Sequence, residues 1–556
     1  MMDTQRLILF IVFSFSILML WDAWQRENRP PAPVAQQGAP ATTTAPGSAA
    51  VPTPSATTPA VAPGAPGAQG VPTDTRSAGA TREPIRVTTD LFVADIDPVG
   101  GDLVRLQLLK HKDPVETARD FVLFTPDFHY AAQSGLIGTG LPTHKTPFAY
   151  DGPKEVKLAD GQDAVAVTLT APGPDGVKVS KTLTFRRGSY LIDVTQSVAN
   201  PGQSPVAAHA YFQLTRDSKA PPGDSFMLQT YTGAALYNDK DKYVKLSFSD
   251  IEKGKVPYTK EADNGWAAMV QHYFVSAVLP PAGTPREFYT RRIGDNVYSA
   301  GVIIPLAVPA GGDATVTVPV YAGPQEQDNL KVIAPGLDLV VDYGWLTVIA
   351  APLFWVLKLL YGWLGNWGLA IIGLTVLIKL VFFPLSAASY KSMAKMKLLA
   401  PRLTKLKEQY GDDRVKMNQA MMEMYKTEKV NPFGGCLPIL VQIPVFIALY
   451  WVLLGSVELR QAPFYGWIKD LSMPDPFFIL PALMMGSMIV QTKMSPTPPD
   501  PVQAKVMMIM PFVFGVMFFF FPAGLVLYWL VNNILSIAQQ WQIQRMIESQ
   551  AAAAKR

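Results

Sequence analysis

The chain has 556 residues, of which 49% are apolar and 17% are charged, and its formal net charge is +4. This length allows several domains, and the apolar residues are concentrated in a few long runs, which is typical of a membrane protein. The single cysteine, Cys436, excludes a disulfide framework, so any large exported domain must rely on a packed apolar core.

The first apolar run, residues 7–20, predicts a transmembrane anchor over residues 1–24. A cleaved signal peptide is the alternative, but Trp21-Asp22-Ala23-Trp24 lacks the small residues of a cleavage site, so we favour an uncleaved anchor. Residues 25–81 come next. Within them, residues 30–72 carry no charge and are rich in Pro, Ala and Thr, which predicts a disordered tether.

Residues 82–330 predict a large exported domain of β-strands. Apolar and polar residues alternate, between Gly, Pro, Asn and Asp, along residues 164–169, 177–185, 190–198, 208–214, 269–278 and 314–320. This pattern favours a large antiparallel β-sandwich, with a short helix near its end. Asp95 and Asp97 alternate in a strand, so we expect both to face solvent rather than to form an acid–base pair. A sugar-binding cleft is supported by fold-level analogy only.

Residues 343–363 are apolar enough to cross a membrane, but we predict an amphipathic helix that lies in the membrane interface. Aromatic rings and a lysine stem bridge lipid and water there. The segment contains Trp345, Trp355, Lys358, Tyr361 and Trp363. If this segment crossed, the basic loop that follows the next span would lie on the wrong side of the membrane.

Five further spans are predicted in the C-terminal third, which makes six with the anchor. They lie at residues 366–388, 434–456, 476–492, 506–521 and 524–541. The last two come from one apolar run that is too long for a single crossing and is interrupted at Phe521-Pro522-Ala523-Gly524. Pro438 and Pro444 predict kinks, and therefore a bundle that is not tightly closed.

The loop between the second and third spans, residues 389–432, carries ten lysines and arginines, which marks the cytoplasmic side. Both termini, including the tail at residues 542–556, are then cytoplasmic, and residues 25–343 lie outside. Apolar residues at helical spacing on both sides of residues 411–413 predict a cytoplasmic helical hairpin. This hairpin either positions its flanking spans or recruits nascent chains or the ribosome, and the sequence leaves both open.

Lys379 points most directly to a function. It lies about 18 Å along the second span, and a lysine in lipid costs several kcal/mol unless it snorkels, pairs or faces water. Its stem either snorkels to the inner headgroups or points into a water-filled recess that opens to the cytoplasm. Polar residues within the spans favour the recess, namely Thr375, Gln442, Asn532 and Asn533.

Several motifs in this chain resemble the YidC membrane protein insertases of Gram-negative bacteria, within the YidC/Oxa/Alb family. They are Ser392-Met-Ala-Lys-Met-Lys, Gly411-Asp412-Asp413, Glu428-Lys-Val-Asn-Pro-Phe-Gly-Gly-Cys436, Lys493-Met-Ser-Pro-Thr497 and Phe521-Pro-Ala-Gly-Leu-Val-Leu-Tyr528. The resemblance implies an inner-membrane insertase and chaperone that works alone or beside the Sec translocon. It implies a polytopic α-helical membrane protein with six spans, a five-helix insertase core and an exported all-β sandwich of the galactose-mutarotase-like supersandwich type.

The resemblance also implies a substrate groove. We expect the groove to be formed by Lys379, Thr375, Gln442, Tyr528, Trp529 and Asn532. Relatives often carry arginine at the position of Lys379, so the expected requirement is a positive point charge rather than bidentate pairing. Many carry tyrosine at the position of Trp529, so stacking or apolar contact is the expected role there.

The expected mechanism is partition of a client into lipid, with no enzymatic activity, catalytic residue, cofactor or metal. Expected partners are nascent membrane proteins, the ribosome, the Sec translocon with its accessory subunits, components of the signal recognition pathway and the lipid bilayer, with no specific nucleic acid. A secondary transporter that binds its substrate at Lys379 is one alternative, although no inverted repeat is found. A membrane-tethered carbohydrate-active enzyme is the other.

Overall fold

The computed structural model describes residues 70–72, 83–221, 230–410, 413–428, 437–495 and 501–553. The chain divides into two compact units after Val341, and each is described by itself. The predicted anchor at residues 1–24, most of the tether at residues 25–81 and the cysteine Cys436 lie outside the described residues.

The first unit is built from β-strands and two short helices. The described strands are β1 (Ile85–Thr88), β2 (Phe92–Asp97), β3 (Asp102–Lys112), β4 (Asp120–Phe124), β5 (Ala131–Ile137), β6 (Glu155–Lys157), β7 (Ala164–Pro172), β8 (Lys178–Arg186), β9 (Leu191–Ala199), β10 (Val206–Asp217), β11 (Gly233–Asn238), β12 (Lys242–Leu246), β13 (Glu261–Ala262), β14 (Trp266–Gln271), β15 (Phe274–Val278), β16 (Arg286–Gly294), β17 (Val297–Val308) and β18 (Asp313–Pro324). The helices are α1 (Phe248–Glu252) and α2 (Gln327–Ile333).

These strands form two sheets around one apolar core. The ten-stranded sheet has the order β13-β16-β17-β10-β5-β3-β2-β1-β6, with β4 paired to β3, and the eight-stranded sheet has the order β12-β11-β14-β15-β18-β9-β8-β7. Alternate residues of each strand enter the core, where Phe92 of one sheet meets Phe185 of the other with 6.1 Å between ring centroids. The predicted β-sandwich is therefore confirmed.

Two predictions about the strands are wrong. Residues 269–278 form the hairpin of β14 and β15, because the chain turns at His272 and Tyr273, where Tyr273 has a φ of 67°. Asp95 does not face solvent: it is 5% exposed, and Arg86 donates to both of its carboxylate oxygens at 2.8 and 3.1 Å. Phe92, Ala94 and Ile96 enter the core, so Asp95 lies on the other face of the sheet, where Arg86 of β1 and Arg105 of β3 lie opposite it and cover its carboxylate.

The second unit is helical over its described residues. Its helices are α3 (Thr347–Leu364), α4 (Trp367–Val381), α5 (Phe383–Tyr410), α6 (Arg414–Thr427), α7 (Leu437–Gly455), α8 (Ile479–Met494), α9 (Pro501–Phe518) and α10 (Ala523–Ala553). Helix α10 packs against α4, α5 and α8, and α3 packs against α4 and α7. The predicted span at residues 366–388 is not one straight helix, because the axis bends by 67° between α4 and α5.

The bend has a local cause in the sequence. Pro384 has no backbone N–H to donate to the carbonyl oxygen of Leu380, and its ring crowds that carbonyl, so α4 does not continue through it: α4 ends at Val381 and a new helix begins at Phe383. At the start of a helix, by contrast, a proline costs little, because its N–H would lack a partner there anyway.

Within the described ranges, the segment Gly344–Leu364 is the single helix long and apolar enough to cross a membrane unaided, and the bent pair α4 and α5 would make a second. Shorter apolar helices lie at Val441–Gly455, Ile479–Met494 and Ala504–Phe518. The segment Gly344–Leu364 is the one that the sequence places in the interface, and its Trp345, Trp355 and Trp363 are exposed. The six spans, the five-helix core and the interfacial placement stay predictions.

Candidate functional site

Lys379 lies in the last turn of α4, where a positive charge is favoured by the helix dipole. Its Nζ donates a hydrogen bond of 2.7 Å to the hydroxyl of Ser536 on α10. Ser536 is buried and donates in turn to the carbonyl oxygen of Asn532 at 2.7 Å. The Tyr390 side chain of α5 also interacts with that of Ser536, so three helices meet near this hydroxyl.

No acidic side chain of the described residues interacts with Lys379. The half-buried ammonium therefore bonds to a neutral hydroxyl, and no carboxylate of the described residues balances its charge. An unbalanced cation between apolar helices is costly, and such groups are retained where they meet water or a ligand of opposite charge.

One turn before Ser536, Asn532 connects α10 to α7. Its side-chain oxygen accepts a hydrogen bond of 2.8 Å from Nε2 of Gln442, and the Gln442 side chain also interacts with that of Tyr528. The next residue, Asn533, donates to Ser487 of α8 at 2.8 Å. These bonds join α10 to α7 and to α8 at this level.

Thr375 is not joined to this cluster. It is fully buried one turn before Lys379, and its hydroxyl donates to the carbonyl oxygen of Ile371 in its own helix at 2.7 Å. Such a bond to the preceding turn is the usual way in which a buried threonine in a helix is satisfied. The sequence places Thr375 beside Lys379 along the helix, but the structure shows no bond between them.

An aromatic cluster lies beside the polar one. The Trp529 ring stacks on Phe446 of α7 with 4.5 Å between centroids and 9° between planes, and meets the edge of Phe518 at 4.2 Å. Tyr528 is also near Phe446, at 6.3 Å. Offset and edge-on aromatic contacts of this kind add to apolar burial. Trp529 thus contacts other rings in the structure.

Sequence reasoning missed Ser536, Tyr390 and Ser487. A signal for Ser536 was present, because polar residues recur at every fourth position of α10 and so fall along one stripe of the helix. The stripe consists of Tyr528, Asn532, Ser536, Gln540 and Gln544. Gln540 is 1% exposed, and neither atom of its side-chain amide has a hydrogen-bond partner in the described part of the chain.

The connection between α7 and α8 closes the opposite end of these helices. The carbonyl oxygens of Met473 and Leu471 accept hydrogen bonds from the first two amides of α10, those of Ala523 at 2.8 Å and Gly524 at 2.9 Å. At the start of α4, Asn366 donates to the carbonyl oxygen of Pro463 at 3.2 Å. The connection therefore ties together the starts of α4 and α10.

Asp475 holds this connection in shape. Its carboxylate is almost fully buried and accepts hydrogen bonds from the indole of Trp467 at 2.9 Å and from the backbone amides of Phe477 at 3.0 Å and Leu480 at 2.7 Å. Bonds to a charged acceptor are stronger than neutral ones, so a single residue fixes both the loop and the first turn of α8.

Comparison with known families matches two models to this chain. The model described as the YidC periplasmic domain matches residues 84–356, and the model described as 60Kd inner membrane protein matches residues 359–550.

Two full-length relatives carry the name membrane protein insertase YidC. The protein from Dechloromonas aromatica is 58% identical over 555 residues, which covers 100% of this chain and 99% of the relative. The protein from Aromatoleum aromaticum is 58% identical over 559 residues, which covers 100% of both.

Two solved structures are more distantly similar. An active YidC insertase crystal structure with its first transmembrane domain resolved is 18% identical, covers 84% of this chain and 93% of that one, and has a TM-score of 0.39. A galactose mutarotase related enzyme from Lactobacillus acidophilus is 10% identical, covers 43% of this chain and 97% of that one, and has a TM-score of 0.30. These TM-scores are too low to support a conclusion about the fold.

The full-length identity decides the family. Relatives that are 58% identical from end to end leave little room for a different activity, and neither the transporter nor the carbohydrate-active enzyme is favoured. The matches assign a periplasmic domain to residues 84–356 and an inner-membrane region to residues 359–550. The chain therefore belongs to the family of YidC membrane protein insertases.

Proposed function

We propose that this insertase moves the polar segment of a nascent membrane protein through a hydrated, positively charged groove centred on Lys379. The observation that carries the proposal is the hydrogen bond from Lys379 to Ser536, in a cluster where the described residues offer the ammonium no carboxylate. A cation held in this way is available to an acidic or polar residue of a client, which would otherwise cross lipid unpaired.

The rest of the groove follows from the same contacts. Asn532 and Tyr528 supply hydrogen-bonding groups one and two turns from Ser536 towards the first residues of α10, and Gln442 of α7 lies beside them. Thr375 lies between Lys379 and the fastened end of α4, and Trp529 presents an aromatic surface beside the polar side chains. A client segment would therefore meet polar groups on one side and aromatic rings on the other.

The driving force needs no nucleotide. Moving the apolar helix of a client from water into lipid yields about 25 cal/mol per Å² of apolar surface. An acidic tail that crosses towards the positive side gains about 2.3 kcal/mol per charge for each 100 mV of membrane potential. The groove contributes by lowering the barrier for the polar segment, so its role is kinetic.

The orientation completes the proposal. Six spans with both termini cytoplasmic would place the end of α4 that carries Lys379 towards the cytoplasm and the connection between α7 and α8 on the periplasmic side. Helices α5 and α6 would then form the cytoplasmic hairpin, with exposed lysines and arginines such as Lys395, Arg402 and Lys416. Such a basic surface suits the ribosome, and we extend the proposal to the Sec translocon and the signal recognition pathway as partners.

The test compares Lys379→Ala with Lys379→Arg in cells depleted of the wild-type protein, using clients with acidic and with neutral tails. We expect the alanine variant to insert acidic-tailed clients poorly, and the arginine variant to insert them as the wild type does, because a positive charge is retained. Lys358→Ala is the matched control, since it removes a lysine from α3 in the same unit. Normal insertion of every client by Lys379→Ala would rule out the assignment.

Two further measurements bear on the groove and on the enzyme alternative. In a Cys436→Ser background, a cysteine placed at Gln442 should react with water-borne thiol reagents, and a crosslinker at Trp529 should capture a stalled nascent chain. Deleting most of residues 82–320 should leave much of the insertion activity intact. A tethered carbohydrate-active enzyme would lose its function with that deletion.

A further inference from the structure

A short piece of the predicted tether lies on the ten-stranded sheet. Val71 is fully buried there, in an apolar cluster with four residues of the sheet, namely Ile137, Tyr211, Tyr289 and Ile303. These four residues come from β5, β10, β16 and β17. Their neighbours along each strand, such as Phe212 and Val302, belong to the core between the sheets. Because side chains alternate between the faces of a sheet, the cluster lies on the face turned away from the core.

Arg291 forms hydrogen bonds with the backbone of this segment. It lies on β16 two residues after Tyr289, on the same face, and its two terminal nitrogens donate to the carbonyl oxygens of Val71 at 2.9 Å and Pro72 at 3.0 Å. Its guanidinium also lies 5.7 Å from the centroid of the Tyr289 ring. The planar fork of an arginine suits two acceptors at a fixed spacing, and two consecutive carbonyls supply them.

We call the site formed around Val71 by Ile137, Tyr211, Tyr289 and Ile303 the socket. Hydrogen bonds hold the side chains of its two tyrosines in place. The Tyr211 hydroxyl bonds to the backbone amide of His144 at 2.9 Å and to its Nδ1 at 2.5 Å. The Tyr289 hydroxyl donates to Gln213 at 2.9 Å, and Gln213 donates to Gln133 at 2.8 Å. A socket whose walls are held by buried hydrogen bonds is preorganised, so little ordering is needed when a segment enters.

The socket is incomplete without its occupant. Arg291 is 6% exposed, and no carboxylate of the described residues pairs with it. If Val71 and Pro72 left, two further donors of a buried guanidinium would lose their acceptors, next to a Nε that already has none in the described chain. Leaving buried donors unpaired costs free energy, so the two carbonyl oxygens of the segment stabilise the guanidinium that the segment covers.

We propose that this face of the periplasmic domain is a binding site for an extended valine–proline segment, and that the chain's own Val71-Pro72 occupies it as a strap. The apolar socket selects a small branched side chain, and the proline favours an extended conformation at the residue before it, which presents successive carbonyls to Arg291. The strap fixes the predicted tether to the domain at residue 71 and closes the site to other extended peptides.

The sequence offers a matched competitor. The tripeptide Val-Pro-Thr at residues 71–73 also occurs at residues 51–53, which lie outside the described residues. If Val71 is altered, Val51 therefore has the chemistry to replace it. A test must remove both copies, and Val51→Asp alone serves as a control for a charge placed in the same composition.

The experiment uses the full chain in lipid nanodiscs and a fluorescent peptide of residues 68–74, with binding followed by anisotropy. The wild type and Val51→Asp should bind the peptide weakly, because the strap competes at an effective concentration of about millimolar. Val51→Asp/Val71→Asp should bind it at least about tenfold more tightly. A peptide with aspartate in place of its valine should not bind, and adding Arg291→Lys should abolish the gain.

Three results would overturn the proposal. They are equal binding by the wild type and the double variant, a gain in binding that survives Arg291→Lys, and binding of the peptide that carries aspartate. The peptide carrying aspartate keeps the test decisive even if a variant of Arg291 folds poorly, because it changes the probe and leaves the protein intact. Since the readout is peptide binding, it is independent of client insertion at Lys379.

Discussion

The bond between Lys379 and Ser536 can be measured by a double-mutant cycle. The variants are Lys379→Met, Ser536→Ala and their combination. Ser536 also bonds to Asn532 and interacts with Tyr390, so its single replacement removes several contacts, and the cycle isolates the free energy of interaction with the lysine. A charged donor at 2.7 Å from a buried hydroxyl is a strong hydrogen bond.

The size of the coupling follows from two opposing estimates. Hydrogen bonds to charged groups in water-soluble proteins contribute about 1.5–3 kcal/mol. Hydrogen bonds between membrane helices average about 0.6 kcal/mol and reach about 1.7 kcal/mol, because the unfolded chain in the membrane also finds partners. The charge and the burial of Ser536 place this pair at the upper end of the membrane range, so we expect a coupling of about 1.5 kcal/mol.

The assay is equilibrium unfolding of the full-length protein in mixed micelles, with dodecyl sulfate as the denaturant. Ser472→Ala is the control, because Ser472 lies in the connection beside the start of α10, about 18 Å of helix rise from Ser536. Its combination with Lys379→Met should be additive within about 0.5 kcal/mol. A Lys379–Ser536 coupling of less than about 0.5 kcal/mol would refute the reasoning, since the ammonium would then rest among lipid headgroups.

Two further variants test the connection between α7 and α8 and the core of the sandwich. Asp475→Ala should destabilise the helical unit by about 3 kcal/mol in the same micelle assay, because the indole of Trp467 and the amide of Leu480 lose a charged acceptor; a loss below about 1 kcal/mol would show that water replaces the carboxylate. In the sandwich, burial lowers the pKa of the Lys181 ammonium from 10.5 to about 8, so between these values the unfolded chain binds a proton that the native chain lacks, and stability rises with pH. Relative to Lys181→Met, the wild type should therefore gain about 2 kcal/mol from pH 7 to pH 9.5 in denaturant unfolding of the full chain followed by near-UV circular dichroism, and a pH-independent difference would contradict the assigned pKa.

Strand positions were predictable wherever one face of a strand is buried, because alternation then appears in the sequence. Alternation did not show that residues 269–278 belong to two strands, because β14 and β15 are buried on both faces and the turn at His272 and Tyr273 contains neither glycine nor proline. Alternation also gave the wrong exposure for Asp95, because Arg86 of β1 and Arg105 of β3 lie opposite it in the sheet and cover its carboxylate. In both places the pairing partner decides the outcome, and a single strand carries no information about its partner.

At the candidate site, the sequence placed Lys379 near the end of its helix but did not supply its partner. Ser536 is 157 residues away along the chain, and a serine in an apolar helix is common. Only its position four residues after Asn532 distinguished it. The prediction of one span at residues 366–388 did not take Pro384 into account, although this proline explains the bend after Val381, and the contact of Thr375 with its own helix required the structure.

Hydrogen bonds at the first two residues of α10 fix that end of the helix, so a tilt of the helix would displace its far end most. With Gly524 as the pivot, Ser536 is about 18 Å away along the axis, so a tilt of about 10° relative to α4 displaces it by about 3 Å. That displacement is enough to exceed the length of any hydrogen bond between Lys379 and Ser536. A small tilt of α10 about its first residues would therefore break the bond from Lys379 to Ser536. The ammonium could then bind a polar group of a segment that lies beside it.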